Sequence, residues 1–138
     1  MAARRLRSIV FDCAKPMPLA RFWAYALDYT VRPFSEATLQ SMREAGITDP
    51  EDAPSVCIES PDEGSTGTKP NVWFEQVPEG KVAKNRVHLD VNLRSLDELD
   101  RFMERGARVL HPFGSLPDCT WAVLADPEGN EFCVFPPE

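Results

Sequence analysis

Ser8 to Cys13 alternates, with Ile9, Phe11 and Cys13 apolar and Ser8, Val10 and Asp12 on the other face. That period of two predicts a half-buried strand. Leu19, Phe22, Trp23 and Ala26 then recur at i, i+3, i+4 and i+7, which predicts a helix from Leu19 to about Asp28, opened by Pro16 and Pro18. A second strand is expected over Tyr29 to Arg32. A short helix follows over Glu36 to Ala45, capped by Ser35 and closed by Gly46. Asp49 to Pro54 reads as linker, Ser55 to Glu59 as a strand, Pro61 to Pro70 as a loop and Asn71 to Val77 as a strand. The pattern then starts again. Arg86 to Leu93 alternates, with Val87, Leu89, Val91 and Leu93 apolar and His88, Asp90 and Asn92 polar. Ser95 and Glu98 have the spacing of a capping box for a helix over Leu96 to Arg105, which Gly106 ends. Arg108 to His111, Thr120 to Ala125 and Glu131 to Phe135 read as strands, with a turn at Asp126 to Asn130.

The order is therefore β-α-β-β-β twice. Residues 7 to 22 overlie residues 87 to 102 at an offset of 80 (88 − 8), which sets Ser8 against His88. Phe74 to Pro78 overlies Phe132 to Pro136 at an offset of 58 (132 − 74), which sets Glu75 against Cys133. The difference, 22 residues (80 − 58), is assigned to the helical insertion at about 35–54. Neither unit can bury a sheet face alone, so the expected fold is α+β: two βαβββ units in one domain, with a curved mixed sheet and a concave pocket. Unit one spans about 5–78 and unit two about 85–137. The repeat is expected to bring Ser8, Glu75, His88 and Cys133 to one point. Asp12, Asp90 and Asn92 share the polar strand faces, and Trp73 and Trp121 are candidate pocket walls.

Composition narrows the functions open to this fold. A net charge of −7 argues against nucleic-acid binding, which needs a basic patch. The chain contains no apolar run of membrane-spanning length. The basic start is followed by too short an apolar stretch for a secretory leader, so the expected compartment is the cytoplasm. None of the four cysteines forms a C-x-x-C pair, so they read as reduced thiols. Cys119 stands in a loop open to exposure, with nothing to mark it as activated, and His111 and the linker cations Lys81, Lys84 and Arg86 read as structural or solvated.

Three stretches carry a family resemblance: Leu19 to Tyr29 (LARFWAYALDY), Asn85 to Val91 (NRVHLDV) and Ala125 to Cys133 (ADPEGNEFC). Together with the paired pattern, they resemble the vicinal oxygen chelate superfamily of glyoxalase I, bleomycin- and fosfomycin-resistance proteins and extradiol dioxygenases, in its glyoxalase-like branch. The resemblance implies metal ligands, typically His or Gln, Glu, His and Glu, on the first and last strand of each unit. Carried over, those positions are Ser8, Glu75, His88 and Cys133. Serine is not a credible ligand for a divalent metal, and a thiol replaces the last carboxylate, which leaves Glu75, His88 and Cys133 as the candidate set, best suited to zinc. The expected cofactor is accordingly none or a divalent metal. Two functions stay open. One is a lyase or isomerase acting on a small oxygenated metabolite, with His88 and Glu75 as catalytic acid–base groups. The other is a metal-free protein that sequesters a drug or natural product, of bleomycin-resistance type. The expected partners are a small-molecule ligand and, from the resemblance, a second copy in a homodimer.

Overall fold

The structure is a computed structural model that describes residues 3–61, 69–118 and 120–138. It divides into two compact units, Met1–Gly80 and Lys81–Glu138.

Unit one contains β1 (Ser8–Cys13), α1 (Pro16–Leu27), β2 (Thr30–Val31), α2 (Glu36–Glu44), β3 (Ser55–Glu59) and β4 (Asn71–Gln76). Its four strands lie in the order β1-β4-β3-β2, with β1 and β4 parallel and the other pairs antiparallel. Helix α1 starts three residues earlier than its periodicity predicts, because proline lacks only an N–H that the first turn leaves unpaired anyway. It stops at Asp28, which adopts a left-handed conformation (φ 55°). Its apolar face buries Leu19, Phe22 and Trp23, and Trp23 meets Phe11 of β1 edge-on at 5.2 Å between ring centroids. Ile58, Val72 and Phe74 complete this core. Ser35 caps α2 as expected, accepting from the Thr38 N–H at 3.1 Å. The stretch read as linker contains a 3-10 turn, Pro50–Asp52, whose Glu51 N–H is capped by the Asp49 carboxylate at 3.0 Å.

Unit two repeats the plan with β5 (Asp90–Asn92), α3 (Glu98–Glu104), β6 (Arg108–His111), β7 (Ala122–Ala125) and β8 (Glu131–Phe135). The order is β5-β8-β7-β6, again with the first and last strands parallel. Phe102, Leu124, Phe132 and Val134 form its core. Two expectations fail here. The strand expected from Arg86 begins only at Asp90, and Val87 is 77% exposed. Neighbouring β8 begins at Glu131, so residues before His88 have no ladder to join. That segment is tied down differently, with the Asn85 N–H donating to Glu131 Oε2 at 3.0 Å. The capping box also does not form. Ser95 donates to the Asp97 carboxylate, and Glu98 reaches back past Ser95 to accept from the Arg94 N–H at 2.7 Å. Helix α3 therefore starts at Glu98, two residues late, and Leu96 is left exposed.

Strand register corrects the internal alignment. Val10 lies beside Trp73, and Asp90 beside Cys133. With β1 and β5 at an offset of 80 (90 − 10), β4 and β8 are offset by 60 (133 − 73). Cys133 thus corresponds to Trp73, and Glu75 to Phe135. Cys57 lies beside Trp73 and Val123 beside Cys133, giving 66 (123 − 57) for β3 and β7. By the same ladders Thr30 corresponds to Arg108, an offset of 78 (108 − 30). The extra length of unit one is therefore not all in its helical insertion. Two residues enter before β2, twelve before β3 and six before β4. An alignment made across the last strand alone cannot see this, because a two-residue slip keeps every side chain on its own face.

Candidate functional site

In unit two, His88, Asp90, Trp121, Val123, Cys133 and Phe135 line a cleft of about 350 Å³, together with Lys84, Glu131 and Phe132. The elements explain the gathering. Asp90 and Cys133 are neighbours across the β5–β8 ladder, and Val123 lies beside Cys133 on β7. His88, two residues before Asp90, emerges on the same face. Trp121 packs against Phe135 at 5.6 Å between ring centroids and makes the apolar wall. His88 Nε2 stands 3.4 Å from Asp90 Oδ1, both half-exposed, while Cys133 is buried and forms no disulfide. One donor atom from each of His88, Asp90 and Cys133 lies within 4.8 Å of the others. Asn92 shares the strand but is not among the lining residues, and its amide donates to Glu138 at 3.5 Å.

Glu131 lines this cleft and braces the segment before His88. Its carboxylate accepts from the Asn85 N–H and pairs with Lys81 Nζ at 3.0 Å. Burial alone would push this carboxyl up; the Asn85 N–H and the Lys81 ammonium outweigh it and hold the group below the usual carboxylate range. Lys81 and Lys84, read as solvated linker, thus serve as a brace and a cleft wall. Glu131, the partner of Lys81, lies 50 residues away (131 − 81), so no local pattern marks the pair.

The remaining candidates lie in unit one and do not gather at one point. Ser8 pairs with Asn71, whereas Glu75 pairs with Asp12, four residues further along both strands. That separates Ser8 from Glu75 by about 13 Å at the usual rise per residue. Glu75 accepts a hydrogen bond from Ser55 Oγ at 2.7 Å. Asp12 is exposed on β1, where its ladder neighbour is Glu75. Ser8 and Trp73 line a second cleft, with Arg5, Leu6, Arg7, Arg32, Lys69 and Asn71. Cys119 and most of the loop read between Pro61 and Pro70 lie outside the described residues.

The comparisons decide the family. The glyoxalase-like domain family matches residues 8–135. The chain belongs to that family. Solved structures agree on the fold. A glyoxalase/bleomycin resistance protein/dioxygenase family enzyme from Burkholderia phytofirmans has a TM-score of 0.61 at 13% identity, covering 96% of this chain and 98% of its own. The fosfomycin resistance protein FosX from Mesorhizobium loti has a TM-score of 0.58 at 13% identity, covering 97% and 92%. A glyoxalase-related enzyme from Fulvimarina pelagi has a TM-score of 0.61 at 12% identity, covering 97% and 88%. No curated protein matches the sequence. Among the described residues, no helix is long and apolar enough to cross a membrane.

Membership makes the metal question concrete, and the donor chemistry answers part of it. The superfamily's ligand set needs a ligand-bearing side chain on the first and last strand of each unit. By register those four positions are Ser8, Trp73, His88 and Cys133. An indole and a serine hydroxyl do not supply the unit-one half, so this glyoxalase-like chain does not fit the four-ligand N/O set. What unit two offers instead is local to it, a mixed imidazole, carboxylate and thiol cluster.

Proposed function

We propose that this glyoxalase-like protein binds a small oxygenated organic molecule in the unit-two cleft. The observation that carries the reading is the composition of that cleft. Trp121, Val123 and Phe135 give an apolar wall, and His88 and Asp90 stand together as its polar corner. A concave apolar surface with a few converging polar groups is what small-molecule sites have in common. The ligand's apolar body would lie on Trp121, and its carbonyl or hydroxyl would meet His88. Imidazole is also the side chain best suited to moving a proton near neutral pH, so the same contact supports proton abstraction beside a carbonyl and hence lyase or isomerase chemistry. In a sequestering protein the same contact would only orient the ligand.

A thermal-shift screen of small carbonyl compounds, thiol conjugates and glycopeptide-like drugs tests this reading, since a ligand that binds only the folded state raises the melting temperature. A hit should be lost in Trp121→Ala and weakened in His88→Ala. A hit indifferent to both substitutions would place binding elsewhere and sink the proposal. Turnover of that hit, abolished by His88→Ala, would separate an enzyme from a sequestering protein.

A second reading is favoured by the donor cluster. His88, Asp90 and Cys133 could hold a zinc ion, for which donor atoms converge on a centre about 2.0–2.3 Å away. The three donors already lie within 4.8 Å of each other, and Asp90 takes the place first assigned to Glu75. Elemental analysis after incubation with zinc, repeated on Cys133→Ser, checks it; equal zinc in both proteins removes this reading.

A further inference from the structure

The unit-one cleft is the less expected of the two. It measures about 530 Å³, and its described lining residues include four cationic side chains, Arg5, Arg7, Arg32 and Lys69, and no carboxylate. Arg32 is paired with Glu59 outside this lining, and the cations gather in a chain whose net charge is −7, so their gathering is not a by-product of a basic composition. The cleft is also built rather than merely lined. Arg32 Nη2 is held 2.8 Å from Glu59 Oε2, and its Nε donates to the same carboxylate at 2.9 Å. The guanidinium carbon sits 5.5 Å from the centroid of the Trp73 ring, a cation–π arrangement. Both contacts fix the guanidinium in advance, which lowers the ordering cost of a ligand that meets it. The Asn71 N–H donates to the Arg7 carbonyl at 3.3 Å and ties the N-terminal arm to β4. The Tyr29 hydroxyl donates to the Pro70 carbonyl at 2.9 Å and anchors the segment that carries Lys69.

We propose that this cleft is a binding site for a small organic dianion that carries an apolar or aromatic body. Guanidinium forks match the paired oxygens of phosphate and carboxylate, and an ammonium adds a point charge that suits either. Leu6 and the exposed part of Trp73 receive the apolar body. All of its described lining residues belong to unit one, so the unit-two reading is not needed for it. By register Ser8 and Trp73 are the counterparts of His88 and Cys133. The position that carries imidazole and thiol in one unit has therefore become part of an oxyanion site in the other.

Calorimetric titration of the full chain tests this with three probes: phenyl phosphate, phthalate and, as the neutral control, phenol. Phenyl phosphate, phthalate or both should bind, and phenol should not; the stronger of the two anions tells whether phosphate or carboxylate oxygens are preferred. Binding should weaken severalfold between low and moderate salt as the charges are screened. Arg7→Gln and Lys69→Gln should each weaken it roughly tenfold, the usual size of one charge-assisted hydrogen bond. Arg32→Lys, which keeps the charge and loses the fork, should weaken it as well. Arg32 also serves the fold, so circular dichroism must first show each variant folded. Failure of both dianions to bind folded protein would overturn the proposal. So would equal binding of phenol, or full affinity in folded Arg7→Gln and Lys69→Gln.

Discussion

Asp126→Ala should be among the most damaging single substitutions in unit two, although this residue touches neither cleft. Asp126 is 1% exposed and opens the turn between β7 and β8. Its Oδ1 accepts from the Glu128 N–H at 2.9 Å and from the Asn130 N–H at 3.0 Å, and Oδ2 accepts from Asn130 Nδ2 at 2.9 Å. Hydrogen bonds to a charged group are each worth about 1.5–3 kcal/mol, and buried donors left without a partner cost about 1–3 kcal/mol. Two of the three donors are backbone groups that cannot turn away, while the turn can admit some water. A net loss of about 3 kcal/mol is therefore expected. For a chain of this size that lowers the melting temperature by about 10 °C, at about 3 °C per kcal/mol. Asp126→Asn keeps one acceptor oxygen and should lose about half as much. Urea unfolding of the three proteins, followed by tryptophan fluorescence and by far-UV circular dichroism, gives the numbers. A cost under about 1 kcal/mol for Asp126→Ala, or an equal cost for Asp126→Asn, would show that the buried carboxylate does not hold this turn.

Lys81→Met should flatten the acid limb of stability: Glu131 titrates lower folded than its ordinary value of 4.5, so its bracing is present above that pH and lost as pH falls through the folded value. Melting curves between pH 7 and pH 3 should converge for the two proteins at the acid end; parallel curves would contradict the brace. Gly106→Ala should destabilise by about 1–3 kcal/mol, because its φ of +108° is strained for any L side chain and an added Cβ would meet Pro127 Cγ at 3.1 Å. An unchanged denaturation midpoint for this variant would show that the α3–β6 turn relaxes freely.

Strand and helix identity were legible because alternation and 3.6-residue periodicity act locally. Ser55–Glu59, Arg108–His111 and Glu131–Phe135 fall where the pattern puts them. What the pattern could not show is pairing. Glu75 and Trp73 share a face of β4, so composition alone cannot say which of them lies level with Val10. Only the β1–β4 ladder picks Trp73. The late start of β5 has the same origin, since Arg86 and Val87 alternate correctly but have no neighbouring strand. The cationic cleft was invisible for a further reason. Arg5, Arg7, Arg32 and Lys69 are scattered through unit one, and each looks like an ordinary solvated charge until the sheet brings them together.

Among the described residues, the first strand of each unit pairs with the last, and the last lies inside the sheet. During synthesis β5 therefore waits as an unpaired strand until Phe135 has left the ribosome, while the β6–β7 hairpin can already close. Unit one can complete its sheet as soon as Gln76 is free. Synthesis at about 5–20 residues per second separates those two moments by several seconds. Through that interval Val91 and Leu93, buried once the sheet is complete, stay exposed on an unpaired edge, the kind of surface that invites aggregation.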